Sequence, residues 1–102
     1  MTTNRILETV EFGEWLRGIV DVRTRATIHV RLRRLSLGNP GDVRPVGEAV
    51  SELRIAIGPG YRVYYTRVGD RTWLILLGGS KATQQRDIRR VKALARIFEQ
   101  ER

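Results

Sequence analysis

The sequence predicts an α+β domain in which an N-terminal strand and a helical hairpin pack on a mainly antiparallel sheet of four to five strands, closed by a C-terminal helix. Three observations predict it. Apolar residues recur at helical spacing from Phe12 to Leu35, the period shortens to that of strands after Asp42, and helical spacing returns from Ile88 to Phe98.

In chain order, Arg5 to Val10 has the composition of a short strand, and Phe12, Trp15, Leu16 and Ile19 then mark one face of a helix that Gly18 weakens near its end. Asp21 is placed to cap a second helix running to about Leu37. Ile28, Leu32 and Leu35 form its apolar stripe, and Arg23, Arg31, Arg33 and Arg34 cover much of the rest. Gly38-Asn39-Pro40-Gly41 stops it. Val43 to Val46 follows as a strand that Pro45 confines to an edge or irregular position. In the next strand Ser51, Leu53, Ile55 and Ile57 alternate with Glu52, Arg54 and Ala56, so Arg54 lies opposite the apolar face. Gly58-Pro59-Gly60 reverses the chain into Tyr61 to Val68, and Gly69-Asp70 turns it into Thr72 to Leu77. The unbroken Trp73-Leu74-Ile75-Leu76-Leu77 marks an interior strand covered on both faces, with Gly78-Gly79 ending it. Thr83 is placed to cap a last helix to about Gln100, packed through Ile88, Val91, Leu94, Ala95 and Phe98.

With 102 residues, 41% of them hydrophobic, the chain is sized for one domain, residues 1–102, with no repeat or linker. It has no cysteine and one histidine, which excludes a disulfide framework and argues against a metal centre. The scattered carboxylates do not suggest a magnesium cage, and no cofactor-binding motif is present. Neither a signal peptide nor a membrane span can be read from the sequence, so the expected location is the cytoplasm. A formal charge of +8 favours a polyanionic partner, with nucleic acid first.

Chemistry on such a chain must run on arginine, lysine, tyrosine and amide groups. Alternation puts Arg62, Tyr64 and Thr66 on one sheet face, with Arg62 across a tight hairpin from the strand carrying Arg54. Two guanidinium groups side by side suit a phosphate clamp; pairing of each with a carboxylate such as Glu52 or Asp87 is the structural alternative. Gly78-Gly79-Ser80-Lys81-Ala82-Thr83-Gln84-Gln85-Arg86-Asp87 is a second cluster, where a helix start favours an anion and Lys81 lies just before it. Tyr64 is a candidate for stacking on a base. His29, mid-helix among arginines, reads as a surface or packing residue, and Trp15 and Trp73 as core anchors.

Glu52-Leu53-Arg54-Ile55, Gly58 to Tyr65, Leu76-Leu77-Gly78-Gly79-Ser80-Lys81 and Gln84 to Ile88, in order, resemble the RelE/ParE toxin superfamily and most of all its HigB-like branch of addiction-module killer proteins. The likeness runs nearly end to end and includes Phe12, Trp15-Leu16 and Gly38 to Asp42. It implies the compact RelE-like fold and the toxin of a bacterial type II toxin–antitoxin system. It further implies a ribosome-dependent, metal-independent endoribonuclease, an mRNA interferase that cuts translated messenger RNA and inhibits translation. Its partners would be the ribosome, mRNA and a cognate antitoxin, expected to be a HigA-like helix-turn-helix protein. No cofactor is implied, nor any membrane partner.

Under this resemblance Arg54, Arg62 and Lys81 are the catalytic set, with Arg54 and Arg62 stabilising the charged phosphorane and Lys81 taking part in proton transfer. Tyr64, Gln84 and Arg86 are candidate RNA-binding residues. Some RelE-type members carry a histidine or tyrosine near the start of the last helix; here Asp87 and Ile88 stand there. The alternative function is that of a ParE-like toxin, which inhibits DNA gyrase without cutting nucleic acid.

Overall fold

A computed structural model describes residues 4–100. The chain runs β1 (Arg5–Glu8), α1 (Val10–Arg17), α2 (Val22–Ser36), β2 (Val43–Gly47), β3 (Val50–Ile55), β4 (Tyr61–Arg67), β5 (Thr72–Ser80), a 3₁₀ turn (Lys81–Thr83) and α3 (Gln84–Gln100). The five strands form one mixed sheet in the order β1-β5-β4-β3-β2, with β1 parallel to β5 and every other pair antiparallel. The fold is therefore the expected α+β arrangement. Residues 1–3 and 101–102 of the single expected domain lie outside the described residues.

Each sheet face carries its own core. On one, Phe12 and Leu16 of α1 and Ile28, Leu32 and Leu35 of α2 pack on Leu53, Ile55, Val63, Tyr65 and Ile75. On the other, Val91 and Ala95 of α3 pack on Val50, Tyr64, Leu74, Leu76 and Leu77. Covered on both sides, the sheet buries four consecutive residues of β4, Val63 to Thr66, as an interior strand should.

The helix starts follow from side-chain chemistry. Asp21 accepts the Arg23 N–H at 3.2 Å and the Thr24 hydroxyl at 2.8 Å, so α2 begins where the sequence places it. The first strand stops at Glu8, short of the expected Val10. Thr9 leaves the sheet to cap α1, accepting the Phe12 N–H at 3.0 Å and donating to the Leu76 carbonyl at 2.9 Å.

The larger departure is β5, which does not end at Leu77 but runs through Gly78 and Gly79 to Ser80. These glycines let two elements close onto the strand from opposite faces. A Cβ at Gly78 would sit 2.1 Å from the Trp15 ring of α1, and one at Gly79 would sit 2.0 Å from Oδ2 of Asp87 in α3. A register shift between Tyr64 and Tyr65 also adds one residue to β5, so Leu76 and Leu77 both join the α3-side core.

Thr83 stands immediately before the last helix, in the capping position that the sequence gives it. Its hydroxyl accepts the Ser80 N–H at 3.1 Å and donates to Asp87 at 2.5 Å, closing a 3₁₀ turn before α3 starts at Gln84.

Candidate functional site

The β3–β4 register sets the site, because it pairs Arg54 directly with Arg62 and Glu52 with Tyr64. All four side chains are on the α3 side of the sheet, since they alternate with Leu53, Ile55 and Val63 of the opposite core. On its other flank Arg62 pairs with Gly79, whose missing side chain leaves room for Thr83 and Asp87.

Arg62 sends Nη1 to the Gly60 carbonyl at 2.6 Å, and its Nε is buried without a hydrogen-bond partner. The same carbonyl accepts the Lys81 N–H at 2.9 Å. One turn oxygen thus ties together the Arg62 guanidinium and the backbone of Lys81, whose side chain is exposed.

Two residues before Arg54 on the same strand face lies Glu52, a carboxylate with no solvent exposure. Arg54 Nε donates to its Oε1 at 3.1 Å, Gln84 Nε2 donates to its Oε2 at 2.9 Å, and Arg44 Nε on β2 stands 3.5 Å away. Burial alone would raise the Glu52 pKa. The hydrogen bonds from Gln84 and Arg54, with the neighbouring Tyr64 hydroxyl and the Arg44 charge, outweigh it and hold the carboxyl below its ordinary range.

Of the residues singled out from sequence, Arg54, Arg62, Lys81 and Gln84 come together at this end of the sheet. For Arg54 both readings of the sequence hold at once, because it stands opposite Arg62 and is also paired with Glu52. Arg86 is exposed on α3, with Nε 3.7 Å from Asp87. The stacking role for Tyr64 is corrected. Its ring is fully buried under α3, where Val91 and Ala95 cover it, and no face is open to a base. Its hydroxyl lies beside Glu52 without completing a hydrogen bond, and burial, then the carboxylate charge, push its pKa far above the ordinary tyrosine value. His29 is exposed on α2, away from the cluster.

From sequence alone Glu52 is a structural ion-pair partner and Arg44 has no role in the site. A carboxylate on the polar side of a strand, two residues before an arginine, is the signal for the first. The second depends on a strand pairing that sets Arg44 opposite Glu52. Among the described residues no three His, Cys, Asp or Glu side chains group closely enough to hold a metal ion, and no helix is long and apolar enough to cross a membrane.

Fold and site define a small basic α+β protein with four cationic residues at one end of its sheet, Arg44, Arg54, Arg62 and Lys81, the first two of them ion-paired to one buried carboxylate. Over 93 residues the chain is 41% identical to an uncharacterized protein of Haemophilus influenzae, an alignment covering 91% of this chain and 94% of that one. It belongs to the same family as that protein. No family model matches the chain.

Proposed function

We propose that this protein is the toxin of a bacterial type II toxin–antitoxin pair of the RelE/ParE kind, acting in the cytoplasm as a ribosome-dependent endoribonuclease on translated mRNA. The observation that supports this reading is the direct pairing of Arg54 with Arg62 at a sheet end that also carries Lys81. Glu52 offsets the charge of Arg54, whereas Arg62 opposite it makes no ion pair among the described residues, so a phosphodiester between the two guanidinium groups would meet positive charge that is only half compensated.

In the proposed reaction the RNA 2′-oxygen bonds to the adjacent phosphorus as the 5′-oxygen leaves, giving a 2′,3′-cyclic phosphate and a free 5′-hydroxyl. Arg54 and Arg62 stabilise the added negative charge on the phosphorane. The 2′-hydroxyl gives up its proton as the new bond forms and the leaving 5′-oxygen takes one up, and the exposed Lys81 amine takes part in that transfer. A cognate helix-turn-helix antitoxin would neutralise the toxin.

Brief induction of the wild-type chain and of Arg62→Ala in bacteria, with 5′-end mapping on a reporter transcript, tests the reading. Cuts that require translation and disappear in the variant are expected. Growth arrest with intact transcripts and a DNA-damage response would replace it with gyrase inhibition.

A further inference from the structure

We infer that Glu52 is a positioning residue of the proposed site, a fully buried carboxylate that aims Arg54 and Gln84 at the scissile phosphate; the inference rests on the nuclease reading above. The geometry is unusual for a carboxylate whose only task is to pair. Glu52 lies inside the sheet with no solvent exposure, and groups from two strands and a helix meet on it: Arg44 of β2, Arg54 of its own β3 and Gln84 at the first position of α3.

The direction of each contact matters. Arg54 is held through Nε, and its two Nη groups make no hydrogen bond among the described residues, so the outer edge of the guanidinium is left for a ligand. Gln84 is held through Nε2, and its carbonyl oxygen is likewise uncommitted. Without Glu52 the Arg54 side chain would be driven from Arg62, which stands directly opposite. The buried negative charge offsets that repulsion before any substrate arrives, so the two cations need not be gathered during the reaction.

The test uses the full-length chain with ribosomes carrying a defined mRNA, comparing wild type, Glu52→Gln, Arg54→Ala and the double variant. Single-turnover cleavage at saturating ribosomes, the half-saturating ribosome concentration and thermal melting are measured for each. Glu52→Gln keeps the shape and removes the charge. It should cut at least roughly tenfold more slowly at saturation, with half-saturation changed by less than about threefold, because a misaimed group costs rate rather than ground-state binding. The double variant should be slowed by clearly less than the product of the two single losses, since Glu52 acts in part through Arg54 and for the rest through Gln84.

If Glu52→Gln does not fold, Arg54→Lys takes its place, keeping the charge and losing the Nε anchor; the same slowing is expected. Wild-type rates in these variants, or rate losses that multiply in the double variant, would overturn the inference. Should the wild-type chain cut nothing, the nuclease reading fails, and Glu52 is then judged by the Arg54 Nε–Hε signal in ¹H–¹⁵N spectra. A signal sharp in the wild type and exchange-broadened in Glu52→Gln upholds its hold on Arg54. One unchanged between the two refutes it.

Discussion

Gly79→Ala is the substitution that most directly challenges the way α3 is seated over the site. The added Cβ would lie 2.0 Å from Asp87 Oδ2 and 2.9 Å from Thr83 Oγ1, distances no carbon can hold, so the start of α3 must move. Overpacking of this kind costs about 1–3 kcal/mol. Displacing Asp87 also breaks its 2.5 Å hydrogen bond from Thr83, and bonds to charged groups contribute about 1.5–3 kcal/mol. Together the loss is roughly 2.5–6 kcal/mol. At about 4–8 °C per kcal/mol for a domain near this size, the melting midpoint should fall by at least roughly 10 °C. Circular dichroism melts at neutral pH measure it. Adding Asp87→Ala to the Gly79→Ala background should recover part of the loss, a favourable coupling between neighbours. A Gly79→Ala midpoint within about 2 °C of wild type would refute the claim that α3 needs a bare backbone at this position.

Further outcomes follow from the same contacts. Because the Glu52 pKa is depressed in the folded protein, its contribution to stability is present above the unfolded-state value of about 4.3 and is lost as pH falls through the lower folded value. Acid titration of the wild type should therefore show a loss that Glu52→Gln lacks. Tyr64→Phe should keep the midpoint within a few degrees, because the buried hydroxyl completes no hydrogen bond, and should leave RNA cleavage intact, because the ring has no open face. Ala49, in the two-residue turn between β2 and β3, has φ of 60°, a conformation that costs an L-residue about 1–2 kcal/mol. Ala49→Gly should raise stability by up to about 1 kcal/mol once the flexibility of glycine is set against that relief, as urea denaturation would show.

The order and type of the elements could be read from periodicity because helices and strands here each bury a whole face. Asp21 capping α2 and the pairing of Arg54 with Arg62 across the Gly58-Pro59-Gly60 reversal were legible for the same reason, local chemistry without tertiary competition. Where long-range contacts decide, the sequence was silent or misleading. Gly78 and Gly79 resemble a strand terminator, yet they extend β5 because Trp15 and Asp87 press against them from elements far away in sequence. Tyr64 alternates with core residues and looked like a surface aromatic, but α3 covers that face of the sheet as well. Glu52 reads as a polar-face residue until β2 and α3 close over it and make it the centre of the cluster.

Whether Arg54, Arg62 and Lys81 form a site of RNA cleavage is decided by the chemistry of the product ends. The purified chain and its Arg62→Ala variant would be incubated with ribosomes carrying end-labelled mRNA, and with the same mRNA alone. Ribosome-dependent fragments ending in a 2′,3′-cyclic phosphate, paired with 5′-hydroxyl fragments, are expected from the wild type and should be lost in the variant. Intact mRNA in every reaction, with DNA supercoiling by gyrase inhibited by the same preparation, would contradict that assignment.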